Sequence, residues 1–229
     1  MKYKNKYIQI SCDGGAATGK STGAKLISKK YKLKFLSSGL LYRYASYSIL
    51  KFNPINHTKF LKEKFKKLNY NKLKKIKLHS PEISQHSAKI AKIKDVRRIL
   101  KKYQLDFSKK FKNCCIEGRD ISTKILPKSD LKFFFRCDLN IAAKRRYSDL
   151  KKTNHLIKLK DVKKALRIRN NLDTKRKNSP LLKHRDSIEI DTGKLDKQAV
   201  VAKMSYYVER MLKKKYGKWT RVKKSKSLT

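Results

Sequence analysis

The sequence has few prolines, few glycines and few acidic residues. Its 229 residues include four Pro, eight Gly and 17 Asp plus Glu, against 63 Lys plus Arg. A formal net charge of +46 with 39% hydrophobic residues approaches the composition of chains that do not fold. Disordered chains, however, are usually rich in proline and poor in aromatic residues, and here 10% of the residues are aromatic. We therefore expect a folded chain under strong self-repulsion, of a length that suits one main α/β fold with an insertion.

The sequence also lacks paired cysteines and long apolar runs. Its four Cys show no C-x-x-C spacing and its five His form no ligand pair, so we expect neither a zinc site nor a disulfide framework. The apolar run from Tyr7 to Cys12 is much shorter than a signal-peptide core, and the three Phe at 133–135 are flanked by charges. We therefore expect a cytoplasmic protein with no membrane span.

Lysine supplies most of the positive charge, with 50 Lys against 13 Arg. The lysines lie in nearly every segment rather than in one stripe, so no specific nucleic-acid partner is expected. A coding sequence biased toward A and T explains this even spread. The few arginines are then informative, because an Arg kept where Lys would serve suggests a planar, forked donor matched to phosphate or carboxylate.

Alternating apolar and helical patterns predict a doubly wound α/β fold with a parallel sheet. The predicted strands span 7–12, 34–36, 113–118, 131–137 and 187–190. The predicted helices span 20–30, 40–50, 96–107, 139–151, 158–172 and 195–212. In such folds ligands bind at the carboxyl ends of the strands.

Two segments stand apart from this alternation. Residues 51–93 read as Lys-rich helical pieces broken by Pro54 and Pro81, and we interpret them as an inserted, more mobile subdomain. Residues 213–229 read as a basic tail with little apolar surface to bury. The core domain would then comprise 1–50 and 94–212.

A phosphate-loop motif lies near the N-terminus. Residues 14–21 read GGAATGKS, a Gly and four residues followed by Gly-Lys-Ser, between an apolar strand and a helix. In that context backbone N–H groups face phosphate oxygens, with Lys20 reaching the β and γ phosphates and Ser21 reaching Mg²⁺. The motif predicts a nucleoside triphosphate site, and the alternative is a turn that merely needs glycines. The residues predicted to bind ATP are Gly14, Gly15, Ala16, Ala17, Thr18, Gly19, Lys20, Ser21 and Thr22.

Charged residues follow three of the predicted strands. Asp13 directly precedes the phosphate loop, where its carboxylate can accept from a metal-bound water or the second substrate, or can cap a turn. Arg43 lies one turn into the helix after Ser38, where it can contact a phosphate or be solvated. Residues 117–120 read EGRD at the end of a core strand, which suits either a site or a structural ion-pair cluster.

A last cluster lies near the C-terminal third of the chain. Arg169, Asp173 and Arg176 are spaced i, i+4 and i+7, so they share one face if the segment is helical. The alternative is an ordinary salt-bridged helix face. A phosphate loop with an arginine-bearing helical flap is the usual arrangement for phosphoryl transfer, because that chemistry needs alignment and charge neutralisation more than a covalent catalyst.

The ordered series DGGAATGKST, SSGLLYR, VRRIL, EGRD and RNNLDTKRKNSPL resembles bacterial cytidylate kinases over roughly residues 7–212. The resemblance implies an enzyme that transfers the γ-phosphate of ATP to CMP or dCMP, and we expect a monomer. It also implies an α/β core of the P-loop nucleoside-monophosphate kinase type, with an NMP-binding insert and a helical lid at 168–182. The family's monophosphate-binding positions fall on Ser38, Arg43, Arg97, Arg119, Asp120, Arg169, Asp173 and Arg176.

The resemblance also implies a role for each of these side chains. The phosphate clamp would comprise Arg43, Arg119, Arg169 and Arg176, of which the last three act with Lys20 in catalysis. Asp173 would bind the ribose hydroxyls, and Arg97 with Asp120 would read the cytosine edge.

This sequence departs from the family pattern at four positions. Ser37 and Glu117 stand where the family commonly has Asp, and Leu172 replaces a lid arginine. Ala88 falls where a base-reading Ser is expected, with Ser87 one position earlier as the candidate substitute.

Two other functions fit parts of the pattern. Another small P-loop kinase, acting on a different nucleotide or on shikimate, would keep the phosphate loop but not the pair Asp173 and Arg176 beside Ser38 and Arg43. A nucleic-acid-binding protein with a relic phosphate loop would need a contiguous basic face.

Overall fold

The protein forms a five-stranded parallel sheet in a computed structural model that describes residues 7–152 and 155–217. The strands are β1 (Gln9–Gly14), β2 (Lys34–Ser37), β3 (Cys114–Gly118), β4 (Leu131–Arg136) and β5 (Ile188–Asp191). Their spatial order is β2-β3-β1-β4-β5. All five predicted strands are confirmed, although the first begins and ends two residues later than expected.

Helices cover both faces of the sheet. They are α1 (Lys20–Lys30), α2 (Ser38–Phe52), α3 (His57–Lys66), α4 (Pro81–Ile90), α5 (Lys94–Lys110), α6 (Leu139–Lys151), α7 (Leu159–Lys175) and α8 (Lys197–Tyr216). A 3₁₀ turn at Tyr70–Lys75 and a π-helical turn at Ile121–Ile125 complete the described elements. The six helices predicted outside the insert are confirmed.

The apolar side chains form one cluster on each face of the sheet. Along β3, Cys114 and Ile116 belong to the first cluster and Cys115 to the second, as the two-residue period of a strand requires. A sheet buried on both faces explains why its strands read as continuous apolar runs rather than alternating ones.

The insert packs directly on the core. Its buried side chains Leu61, Phe65 and Leu73 lie in the same apolar cluster as Leu36 of β2 and Ile116 of β3. The insert is helical as predicted, but its described part has no separate apolar core. The shared apolar cluster marks no domain boundary at 51 or 93. That residues 51–93 form a separate, more mobile subdomain therefore remains a prediction.

The C-terminal helix is longer than the sequence predicted. It continues past residue 212 to Tyr216, because Lys215 pairs with Asp130 at 2.7 Å and the Tyr216 hydroxyl donates to the Tyr7 carbonyl at 2.8 Å. The predicted end of this helix at 212 is thus wrong, whereas the basic tail stays a prediction, since 218–229 lies outside the described residues. No helix within 7–152 or 155–217 combines the length and apolar character that a membrane span needs.

The parallel register brings the candidate residues to one edge. Asp13 pairs with Gly118 across β1 and β3, and Ser37 pairs with Glu117 across β2 and β3. The phosphate loop, the start of α2 and the EGRD segment therefore meet at the carboxyl end of the sheet.

Candidate active site

The phosphate loop has the backbone that its glycines make possible. Gly14 and Gly19 have φ values of 154° and 76°, and a Cβ at Gly14 would collide with the carbonyl oxygen of Phe135. Helix α1 begins directly at Lys20, and within the described residues no side chain caps its N-terminus. Its first N–H groups are thus available to phosphate oxygens.

Lys20 is a buried cation at the centre of this loop. Its Nζ donates to the Gly15 carbonyl at 3.1 Å and lies 3.7 Å from Oε2 of Glu117. Burial lowers the pKa of Lys20 to about 7, with the positive charge of Arg119 acting in the same direction and the carboxylate of Glu117 opposing it. The lysine is therefore held in a site that disfavours its charge until an anion arrives.

Glu117 connects three parts of the site. Its Oε1 accepts a hydrogen bond from the Ser37 hydroxyl, while Oε2 faces Lys20. Burial would raise its pKa, but the charge of Lys20 and hydrogen bonds from the Ser37 and Ser21 hydroxyls lower the pKa below its usual value. Ser37 and Glu117, two of the departures from the family pattern, thus contact each other. Of this pair only Glu117 carries a negative charge.

Asp173 gathers three arginines. It is 2% exposed, and its Oδ2 lies 2.8 Å from Nε of Arg119 and 3.4 Å from Nε of Arg169. Its Oδ1 lies 3.2 Å from Nη1 of Arg176. Burial would raise the pKa of Asp173, but the three guanidinium charges lower it below the ordinary range. Both carboxylate oxygens are therefore engaged by arginines.

Arg176 joins this group by a different route from the one predicted. Helix α7 ends at Lys175, and Arg176 is the C-cap with extended backbone, so the i+7 helical position does not exist. Its side chain turns back instead, with Nε donating to the Ser179 carbonyl at 2.5 Å. The predicted grouping holds, whereas the predicted helical register of Arg176 is wrong.

Asp120 links this array to the base-reading candidates. It accepts from Nη2 of Arg97 and lies 3.9 Å from Nη2 of Arg176. Nη1 of Arg97 donates to the Ala91 carbonyl at 3.2 Å, and its guanidinium lies 5.8 Å from the centre of the Tyr42 ring. The two predicted cytosine readers are thus in contact.

Arg43 and Ser38 flank the array from helix α2. Within the described residues Nε of Arg43 is buried without a hydrogen-bond partner, and burial together with the charge of Arg169 lowers its pKa to about 10. Ser38 is buried beside Gly118. A buried Nε–H without a partner, on a guanidinium close to other arginines, is suited to an anion.

Ser87 lies within this cluster, whereas Ala88 has no hydroxyl. The Ser87 hydroxyl donates to the Ser84 carbonyl at 2.8 Å and accepts from Nη1 of Arg169 at 3.2 Å. Helix α4 thus holds Arg169, which lies within the predicted lid. The structure places Ser87 against that arginine and records no contact with Arg97 or Asp120.

Asp13 faces the interior rather than the predicted substrate. It is fully buried, and it accepts from the N–H groups of Ile121 at 2.8 Å and Ser122 at 2.7 Å, and from the Ser122 hydroxyl at 2.5 Å. Burial raises its pKa to about 6 against these hydrogen bonds. Its contacts favour the turn-capping alternative over substrate binding.

Sequence reasoning missed contacts that form only in the folded chain. Oδ1 of Asn170 accepts from the Ala16 N–H at 3.0 Å, which joins helix α7 to the phosphate loop. The Tyr70 hydroxyl accepts from the Ser37 N–H at 2.8 Å. No spacing rule would have paired residues this distant, although Asn170 lies within the predicted lid.

A cavity of about 560 Å³ lies beside the loop, between the start of α1 and the start of α8. Gly19, Thr22, Arg145 and Thr192 line it, and Arg145 donates to the Thr192 carbonyl at 2.7 Å. Thr192 in turn donates to the Thr18 carbonyl at 2.9 Å. Arginine is scarce in this chain, so the residue type at Arg145 could have marked it as a candidate site residue, but the sequence prediction did not include it.

Comparison with known proteins agrees with this geometry. A family model described as cytidylate kinase matches residues 10–210. The cytidylate kinase of Bartonella quintana is 34% identical over 195 residues, which cover 85% of this chain and 91% of the relative. That of Clostridium tetani is 31% identical over 226 residues, covering 93% and 99%.

A solved structure supports the fold alone. An uncharacterized protein from Eubacterium ventriosum superposes with a TM-score of 0.52 at 15% identity, covering 88% of this chain and 98% of the other. The residues that the family model matches include the phosphate loop, the arginine array and the predicted lid at 168–182. The chain therefore belongs to the cytidylate kinase family.

Proposed function

We propose that this protein transfers the γ-phosphoryl group of ATP to CMP, and to dCMP as the related acceptor. The observation that carries the proposal is the convergence of Arg119, Arg169 and Arg176 on buried Asp173, beside the phosphate loop. Phosphoryl transfer needs donors that are already oriented toward developing negative charge, and a buried carboxylate that fixes three guanidinium groups supplies that orientation.

The phosphate loop and its neighbours would hold ATP. The uncapped N-terminus of α1 and the buried ammonium of Lys20 suit the β and γ phosphates. The cavity lined by Thr22, Arg145 and Thr192 lies beside the loop and is large enough for the nucleoside. Arg145 would face the base there.

The residues near Lys20 also fit Mg²⁺. The Ser21 hydroxyl and the ionised carboxylate of Glu117 are neighbouring oxygen donors of the kind that this cation prefers. When bound, Mg²⁺ supplies charge neutralisation at the phosphates. The protein's own part is to keep Glu117 ionised and oriented, through Lys20 and the Ser37 hydroxyl.

The acceptor would lie between the insert and the lid. Arg43, with its unpaired Nε, and Arg119, Arg169 and Arg176 would hold its phosphate. Oδ1 of Asp173 binds one arginine and can accept a further hydrogen bond, so it would also take a ribose hydroxyl. Arg97 and Asp120 would read the base.

The measurement that tests this proposal is ADP release from ATP with a panel of acceptors. CMP and dCMP should be phosphorylated with higher kcat/KM than UMP, AMP and shikimate. A preference for AMP or shikimate would replace the proposal with another small P-loop kinase. Steep loss of RNA affinity with salt, without ADP release, would instead favour the nucleic-acid-binding alternative.

Three further assignments stay predictions. They are the monomeric state, the cytoplasmic location, and the division into a core, an insert at 51–93 and a lid at 168–182.

A further inference from the structure

Tyr70 lies in the insert, yet its hydroxyl reaches the catalytic edge of the sheet. It occupies the first position of the 3₁₀ turn Tyr70–Lys75, which Asn69 caps by accepting from the Asn71 N–H at 3.0 Å. The hydroxyl accepts a hydrogen bond from the Ser37 N–H at 2.8 Å. The ring packs against the apolar cluster that fills this side of the molecule.

The position of Ser37 explains why this hydrogen bond matters. Strand β2 is an edge strand, and the inward N–H of Lys34 bonds to the Asn113 carbonyl at 3.0 Å. Strand alternation then turns the Ser37 N–H outward, away from β3. Ser37 is the last residue before α2, and its N–H has no hydrogen-bond partner in a neighbouring strand. The Tyr70 hydroxyl supplies that partner.

From Ser37 a continuous set of contacts leads to the phosphate loop. The Ser37 hydroxyl donates to Oε1 of Glu117, and Oε2 of Glu117 lies 3.7 Å from Nζ of Lys20. Lys20 in turn donates to the Gly15 carbonyl. Two hydrogen bonds and one ion pair therefore separate Tyr70 from the lysine that faces the phosphates.

We propose that Tyr70 is a positioning residue for phosphoryl transfer, which acts through Ser37 and Glu117 to fix Lys20. The inference rests on the proposed function, because it assigns Tyr70 a role in that reaction. A catalytic group displaced by a fraction of an ångström loses rate without losing ligand affinity in proportion. The insert thereby contributes to the placement of a group in the core domain.

The test begins with Tyr70→Phe, which keeps the packed ring and removes the acceptor. kcat with ATP and CMP should fall by about three- to tenfold, the rate equivalent of one hydrogen bond, while both KM values change less. Tyr103→Phe is the matched control, since its hydroxyl contacts the same region through the Leu68 carbonyl at 3.4 Å and does not contact the site. Tyr103→Phe should retain the wild-type kcat.

A double-mutant cycle separates positioning from general support of the insert. Ser37→Ala keeps the N–H but breaks the next link, so adding Tyr70→Phe in that background should cause little further loss of kcat. Equal losses in both backgrounds, or wild-type kcat in Tyr70→Phe, would overturn the inference.

If Tyr70→Phe does not fold, the kcat of Ser37→Ala becomes the test. A wild-type kcat in Ser37→Ala would then overturn the inference. Absence of CMP phosphorylation in the wild type would instead refute the proposed function, so the two failures are distinguishable.

Discussion

Arg176 shows at the scale of one residue how strongly the site depends on guanidinium geometry. Its side chain is 4% exposed and uses Nε on the Ser179 carbonyl and Nη1 on Asp173. A lysine at this position would place one compact charge where a planar fork makes separate contacts.

We therefore expect Arg176→Lys to lower kcat/KM for CMP by at least about 10²-fold, toward the losses typical of arginine clamps. The measurement is steady-state kinetics beside Arg167→Lys, an exposed position on helix α7 that should keep wild-type values. A wild-type kcat/KM in Arg176→Lys would remove this residue from the clamp.

The lowered pKa of Lys20 predicts how enzyme activity changes with pH. Its pKa is lowered to about 7, so the free enzyme loses this positive charge as the pH rises through that value. Because kcat/KM reports the ionisation of the free enzyme, kcat/KM for ATP should decline above about pH 7. Lys20→Arg, which stays charged, should abolish that decline even if it is a slower enzyme. A wild-type profile flat from pH 6 to 9 would contradict the burial of Lys20.

Residue types revealed more of the site than spacing did. The phosphate loop and the scarce arginines could be identified because their chemistry is unusual in a lysine-rich chain. The roles of Asp13 and Asp173 were less accessible, since each depends on which partners the fold brings near: Asp13 caps the 121–122 turn, and Asp173 pairs with arginines through both oxygens. Asn170 and Tyr70 were missed because their contacts cross 154 and 33 residues of sequence.

At the scale of elements, helix α7 is attached directly to the phosphate loop. Ala16 and Ala17 pack against the apolar cluster that contains Val162 and Leu166, and Oδ1 of Asn170 accepts from the Ala16 N–H. A carboxamide oxygen therefore uses an N–H of the loop that is predicted to bind ATP. Bound phosphate and the α7 contact should compete for it.

We expect Asn170→Ala to tighten ATP binding by about three- to tenfold, because removing a competing acceptor frees one hydrogen-bond donor. Equilibrium titration with ATP and ADP measures this change. The control is Asn171→Ala, an exposed neighbour on the same helix. Weaker ATP binding in Asn170→Ala would show that Asn170 supports the nucleotide rather than competing with it.

The periodicity of apolar residues predicted which helices and strands form, but it did not predict where they end. Helix α7 was predicted to 172 and ends at Lys175, which leaves Arg176 outside it. Helix α8 was predicted to 212 and ends at Tyr216, because Lys215 finds Asp130 on a distant loop. The strand order β2-β3-β1-β4-β5 was not predicted, since periodicity contains no information about neighbours in the sheet.

At the scale of the whole molecule, charge opposes the fold. A net charge of +46 on 229 residues creates repulsion that salt screens over a Debye length of about 10 Å at 0.1 M. The unfolding midpoint should therefore rise with NaCl, and rise further with sodium phosphate at equal ionic strength, because we propose that the arginine array binds that anion. Thermal unfolding in the two salts measures both effects. A midpoint independent of ionic strength would contradict the account of self-repulsion.

Formation of CDP from ATP and CMP, by the wild type and by Lys20→Ala at equal concentration, tests the central claim most directly. Chromatography of the nucleotides should show CDP and ADP accumulating in equal amounts with the wild type. Lys20→Ala should lose this turnover while retaining its fold by circular dichroism. Near-normal CDP formation by Lys20→Ala, or ADP without CDP from the wild type, would contradict a phosphoryl transfer built on this loop.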